Sequence, residues 1–155
     1  MIDRFSGEYE FLSNFYPSEV EYKGIKFPTV EHAFQAAKCK TKEEVQKFTE
    51  YETPGKAKRA GRKVDLRSDW EDVKLNIMDE LLRKKFSNLE MFEKLLKTGN
   101  EFLVEGNNWN DTFWGVCNGK GENHLGVLLM SIRSEIRIII ENEMMKEFGW
   151  KGVTL

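Results

Sequence analysis

The chain has 155 residues, enough for one domain with a sizeable buried core. With 40% hydrophobic and 32% charged residues it is not a disordered chain, and a formal charge of −2 predicts no bulk attraction to nucleic acid or to an anionic membrane. Two cysteines in no CxxC pair, two histidines, no signal-peptide pattern and no long apolar run point to a cytoplasmic protein with reduced thiols, without a membrane partner and without a His-rich metal site.

Residues 5–16 mix aromatic and polar side chains without clean alternation and read as a strand running into a loop. Val20 and Tyr22, then Ile25 and Phe27, flank Lys23-Gly24, which predicts a short hairpin over residues 19–27. Pro28 ends it. Thr29 is then a natural N-cap for a helix carrying Val30, Ala33, Phe34 and Ala37 on one apolar stripe. Thr41 with Glu44 forms a capping box for a helix over residues 42–51, and Thr53-Pro54 starts a short basic helix over residues 55–61. Ser68 with Glu71 is a second capping box, opening a helix over residues 69–86. Asn88 caps a further helix, residues 89–97, which Gly99 stops. Residues 102–105 read as a short apolar strand. After a polar, aromatic stretch and the glycine-rich turn Gly119-Lys120-Gly121-Glu122-Asn123 comes a long helix, residues 124–148, with Leu125, Leu128, Leu129, Ile132, Ile136, Ile139 and Ile140 directed inward. The tail from Gly149 is expected to be loose. The predicted fold is therefore α+β, mainly helical: one domain over residues 1–148 with a few short strands.

Three places combine polarity with aromatic residues. In the helix after Thr29, Glu31 lies in the first turn, at the positive end of the helix dipole, with Gln35 one turn below it and Lys38 a further turn on. A carboxylate, an amide and an ammonium thus share an edge, and the plain reading is the polar rim of a core helix. In the second place, Trp70 follows a basic segment containing Lys56, Lys58, Arg59, Arg62 and Lys63. Trp70 is either a core aromatic or a flat surface for a base or ribose. The basic helix is either a solvated face or, through Arg59 and Arg62, a phosphate contact. The third place is Asn110-Asp111-Thr112-Phe113-Trp114-Gly115 with the glycine turn after it. Asp111 either bonds its own backbone or stands among aromatic residues that strengthen its charge. The turn is either an anion site, with Lys120 and a helix N-terminus beside it, or an ordinary cap by Asn123.

Taken in order, Phe11-Leu12-Ser13-Asn14-Phe15, Phe27-Pro28-Thr29-Val30-Glu31-His32-Ala33-Phe34-Gln35-Ala36, Gly61-Arg62, Arg67-Ser68-Asp69-Trp70, Asn110-Asp111-Thr112-Phe113-Trp114-Gly115, and Gly119-Lys120-Gly121-Glu122-Asn123-His124-Leu125-Gly126 resemble the NADAR superfamily, in particular the YbiA-like N-glycosidases. The resemblance runs from about residue 5 to about residue 135. It implies a single, mainly helical domain that hydrolyses an N-glycosidic bond of a small phosphorylated riboside, such as a riboflavin-pathway ribosylamine phosphate, or of an ADP-ribose derivative, ADP-ribosylated DNA included. It also implies a functional core of Glu31, Trp70 and Asp111, with Asn14, Phe15, Lys38, Trp114 and Gly115 lining the site. On this reading Glu31 orients or deprotonates water at the anomeric carbon. Asp111 holds ribose hydroxyls or shares the acid–base role, and Trp70 stacks on the base or sugar. Lys38, Lys120 and Arg59 neutralise phosphate. No metal and no cofactor is required. A non-catalytic ADP-ribose-binding module could use the same groups.

Overall fold

A computed structural model describes residues 1–149. The tail expected beyond Gly149 lies outside the described residues. The chain forms two compact units, Ser6–Phe92, and Met1–Phe5 together with the chain from Glu93. Helices dominate both and the strands are two or three residues long, so the architecture is mainly helical α+β as the sequence predicts.

The unit Ser6–Phe92 opens with a 3-10 turn, Gly7–Leu12, where a strand was expected; Phe11 and Leu12 still enter the core. A strand there needs a partner edge, and the hairpin of β1 (Val20–Tyr22) and β2 (Ile25–Phe27) pairs only with itself. Tyr22 faces Ile25 across a two-residue turn in which Lys23 and Gly24 both have positive φ, the geometry a tight hairpin demands. Helices α1 (Val30–Ala36), α2 (Lys42–Lys47) and α3 (Pro54–Gly61) each start at a threonine. The hydroxyls of Thr29, Thr41 and Thr53 accept from the amides of His32, Glu44 and Lys56. Residues 48–50, expected to continue α2, tighten into a 3-10 turn.

Helix α4 (Trp70–Lys85) departs from its expected cap. Its N-cap is Asp69, which makes no side-chain cap bond because Arg67 holds its carboxylate at 2.6 and 3.0 Å. Helix α5 (Leu89–Lys97) is capped by Asn88 as expected, through the Glu90 and Met91 amides.

His32 is a satisfied core residue. Nε2 lies 2.9 Å from the Tyr51 carbonyl and so carries the proton, which leaves Nδ1 to accept from the Thr29 hydroxyl at 2.8 Å.

In the second unit, residues 102–105 form no strand beyond a single bridge, Leu103 to Ile2. The parallel pair is instead β3 (Gly106–Asn107) with β4 (Val116–Cys117). Helix α6 (His124–Phe148) buries Leu125, Leu129 and Ile132, whereas Ile139, expected to point inward, is 61% exposed. A stripe of period 3.6 continues in sequence past the point where the described residues cover it. Among the described residues no helix is long and apolar enough to cross a membrane.

Candidate active site

The start of α1 is fixed from three sides. Beyond the Thr29 cap, the Glu31 amide donates to the Asn14 carbonyl at 3.1 Å. The Ser13 carbonyl accepts from Nζ of Lys85, a residue only 1% exposed, at 2.8 Å. The 13–15 loop is thereby pinned on both flanks against the helix that carries Glu31.

Glu31 is 7% exposed. Its Oε1 accepts from Nε2 of Gln35, one turn on, at 2.7 Å. Gln35 is itself buried, and its amide is seated on Gly61 of α3: a Cβ on that glycine would lie 1.9 Å from Gln35 Oε1. The amide orientation follows from chemistry, since the reversed one would set an oxygen against the carboxylate. Gln35 Oε1 has no hydrogen-bond partner among the described residues. A close helix contact thus aims the Glu31 carboxylate.

Lys38 and Trp70 complete this edge. Two carbonyls at the end of α1 are taken by Arg67: the Arg67 amide bonds the Lys38 carbonyl at 3.0 Å and its guanidinium the Ala37 carbonyl at 3.3 Å. The same guanidinium holds Asp69, so the end of α1 is tied directly to the start of α4 and to Trp70. Trp70 is 6% exposed, its ring 5.0 Å from that of Phe34, and Nζ of Lys38 lies 5.9 Å from the indole centroid. The core-aromatic alternative therefore describes Trp70 well, with the addition that its ring supports an ammonium. Burial lowers the Lys38 pKa. Glu31 opposes that shift, while Arg62 and Lys58 add to it.

Asn14 and Phe15 sit beside the same elements. Asn14 Nδ2 reaches Met78 Sδ at 3.6 Å, and its buried Oδ1 has no partner among the described residues. Phe15 is partly exposed, with Nζ of Lys58 5.8 Å from its ring centroid. Arg59 is exposed and is not among the charges acting on Lys38; its neighbours Lys58 and Arg62 are.

The other unit gives the third sequence stretch a different character. Asp111 Oδ1 accepts from the amides of Phe113 (3.2 Å) and Trp114 (2.9 Å), the local backbone use that loop aspartates favour. Asn107 braces the same loop by donating to the Asp111 carbonyl and accepting from its amide. Trp114 and Phe113 pack edge-on at 4.9 Å, and Phe113 lies 4.4 Å from the His124 ring. Gly115 is glycine for a steric reason: a Cβ there would come within 2.1 Å of the Glu105 carbonyl oxygen.

The glycine turn spends part of its backbone on the loop before it. The amides of Glu122, Asn123, His124 and Leu125 donate to the carbonyls of Thr112, Gly115, Phe113 and Trp114, so these four are already satisfied within the fold. Lys120 is exposed beside it, without the amide cradle its predicted role assumed. Asn123 occupies the N-cap position of α6 as expected but makes no side-chain cap bond. It adopts a left-handed conformation, and its side chain bonds the Glu105 amide and the Leu103 carbonyl, both at 2.9 Å.

The sequence placed Gln35 on the Glu31–Lys38 edge by its spacing of one helical turn, and offered Arg62 with Arg59 as a phosphate contact; it gave Lys58 and Arg67 no role at the site. Arg67 makes a tie across 30 residues, which no local pattern encodes.

A buried, aimed carboxylate beside a partly desolvated ammonium and an indole is the equipment of an enzyme acting on a polar bond. The comparisons with known proteins agree. The chain belongs to the NADAR domain family, whose model matches residues 3–137. "N-glycosidase Npun_R5314" of Nostoc punctiforme is 42% identical over 139 residues, covering 85% of this chain and 88% of that protein. "N-glycosidase YbiA" of Escherichia coli is 39% identical over 140 residues, covering 86% and 85%. The NMR structure of the E. coli protein YbiA matches with a TM-score of 0.78 at 36% identity, over 90% of this chain and 89% of that one. A "Riboflavin biosynthesis protein VVA0006" of Vibrio vulnificus is 35% identical over 82% of this chain, which spans 35% of its length. The chain is an enzyme of the N-glycosidase class.

Proposed function

We propose that the chain hydrolyses the N-glycosidic bond of a phosphorylated ribosyl compound at the edge formed by Glu31, Lys38 and Trp70. The observation that carries this is the aim of Glu31: a carboxylate 7% exposed, held by Gln35 at 2.7 Å and acting electrostatically on Lys38. Cleavage of an N-riboside passes through a sugar with oxocarbenium character, which a carboxylate stabilises while it deprotonates water. As the C1′–N bond breaks, the base leaves with the electron pair and takes up a proton from solvent, which the proton later returned by Glu31 replaces. Water oxygen bonds to C1′ and gives its proton to Glu31. Trp70 supports Lys38, whose ammonium supplies positive charge to the departing nitrogen. Asp111 is the second carboxylate of the proposal. With one oxygen on the Phe113 and Trp114 amides, its charge is held in place by the loop it folds.

The relative named for riboflavin biosynthesis supports ribosylamine phosphates of that pathway as the first substrates to try. The test is a panel of those compounds, NAD, ADP-ribose and ADP-ribosylated DNA, with products read by mass. Released base plus sugar phosphate supports the proposal; recovery of every compound intact overturns it.

One observation favours a second reading. Burial and two cationic neighbours hold the Lys38 pKa below the ordinary lysine value, which enlarges the fraction of neutral amine. A neutral Nζ would bond to C1′ as the C1′–N bond breaks, and water would then hydrolyse the ring-opened imine. Borohydride added during turnover separates the two: a peptide containing Lys38 that has gained the mass of the reduced sugar phosphate supports the covalent route.

A further inference from the structure

Helix α1 is only seven residues long, and Lys38 stands two residues past its end. A helix that short has little stiffness of its own, and its final carbonyls find no donors within it. Arg67 supplies donors there. Its amide bonds the Lys38 carbonyl at 3.0 Å and its Nη1 the Ala37 carbonyl at 3.3 Å. The other edge of the guanidinium, Nε and Nη2, holds the two carboxylate oxygens of Asp69. That pairing raises the Arg67 pKa and lowers the Asp69 pKa, so each charge steadies the other.

Asp69 is the N-cap residue of α4, a position where an aspartate ordinarily accepts from the opening amides of its own helix. Here it makes no side-chain cap bond and is given to Arg67. The chain forgoes a local cap for a link between two elements. The next residue is Trp70, whose amide bonds the Arg67 carbonyl at 3.2 Å. The backbone of Arg67 therefore reaches Lys38 through its amide and Trp70 through its carbonyl. These are the two residues whose side chains meet, with the Lys38 Nζ 5.9 Å from the centre of the indole.

We infer that Arg67 is a positioning residue: bonded to Lys38 and Ala37 on one side and to Asp69 and Trp70 on the other, it fixes how the ammonium meets the indole and touches no substrate itself. The consequence for catalysis rests on the proposed glycosidase reading, in which Lys38 and Trp70 act together. The main-chain bonds bring the two segments side by side, and the guanidinium sets their angle. A lysine at position 67 would keep the charge and both main-chain bonds. It could not bond Ala37 and both Asp69 oxygens at once, because only a guanidinium presents its donors as a planar fork.

The experiment compares Arg67→Lys and Asp69→Asn with wild type in the full chain, with melting curves to measure the folded fraction. On a compound of the panel that is cleaved, Arg67→Lys is expected to lower kcat roughly 10–10²-fold with KM within about threefold, the cost of misplacing a catalytic group by about an ångström. Asp69→Asn keeps one oxygen for the fork and should lose less, in the same direction. A second readout needs no turnover: the indole N–H resonance of Trp70, assigned with Trp70→Phe. Lys38→Met should move that resonance in the wild-type background, and by less than about half as much in the Arg67→Lys background. A folded Arg67→Lys with wild-type kcat overturns the inference, and so does a loss of activity no greater than the loss of folded protein. An indole response of equal size in both backgrounds overturns it too. If Arg67→Lys does not fold, Asp69→Asn decides by the same two readouts, and wild-type behaviour in both overturns the inference. Should wild type cleave nothing in the panel while the indole response shrinks as expected, the glycosidase reading fails and the positioning of Lys38 by Arg67 stands.

Discussion

Glu31 and Asp111 are both acidic residues beside aromatic ones, and the two regions treat them differently. Asp111 is in a loop, where a short side chain reaches amides two and three residues ahead; Oδ1 accepts from both. Glu31 is in the first turn of a helix whose opening amides are already satisfied by Thr29 and Asn14. Its carboxylate is not needed as a cap and is held by a side chain, Gln35, instead. Where the backbone still needs acceptors, a carboxylate becomes scaffold; where other groups supply them, it is not needed as a cap.

The sharpest way to break this contrast is Glu31→Gln, which keeps shape and removes charge. Turnover should fall about 10²–10⁴-fold with ligand binding largely kept, as steady-state kinetics and calorimetry would report. Near-normal turnover would put Glu31 outside the mechanism. Next comes Gly61→Ala. The added methyl meets the Gln35 amide, so the carboxylate loses its support; turnover should drop roughly 10–10²-fold. Stability should also fall by about 1–3 kcal/mol in denaturant melts. Asp111 is tested by a pair of variants. Asp111→Ala loses the two accepted amides and should cost about 1 kcal/mol, whereas Asp111→Asn retains an acceptor and should melt near wild type. Turnover still missing from Asp111→Asn measures its charge, and it should be less than Glu31→Gln loses.

The smaller effects concern Lys38. Its folded pKa lies below the unfolded value, so the unfolded chain binds more protons between the two. Stability due to this group therefore rises as pH climbs through the folded pKa and levels off above the unfolded one. Lys38→Met should raise the melting temperature at pH 7 and flatten that dependence; an unchanged melting curve would contradict the burial account. Arg62→Gln removes a like charge and so raises the Lys38 pKa. On the water-attack route the alkaline limb of the pH–rate profile then moves to higher pH, whereas movement of the acid limb would favour the amine as nucleophile.

How much of this was legible depended on the range of each interaction. The three threonine caps, the hairpin turn and the Glu31–Gln35–Lys38 edge all lie within a few residues, and local pattern captured them. Asn123 has the composition of a cap, yet its partners are at residues 103 and 105, and it serves those. The glycine turn offers amides to an anion until the 112–115 carbonyls, brought in by tertiary structure, take them. Residues 102–105 had strand composition but meet only a single bridging residue, Ile2. Arg67 showed the reverse: its local pairing with Asp69 gave no sign of its longer-range ties to Ala37 and Lys38.

Position 61 has no charge, no proton to give and no side chain, and it is proposed to touch no substrate. Its contribution is room for an amide belonging to another helix. A saturation scan judged by growth or colour would nonetheless score it with the chemical residues, and a transplant of Glu31, Lys38 and Trp70 onto a new scaffold would fail if it brought everything except that absence.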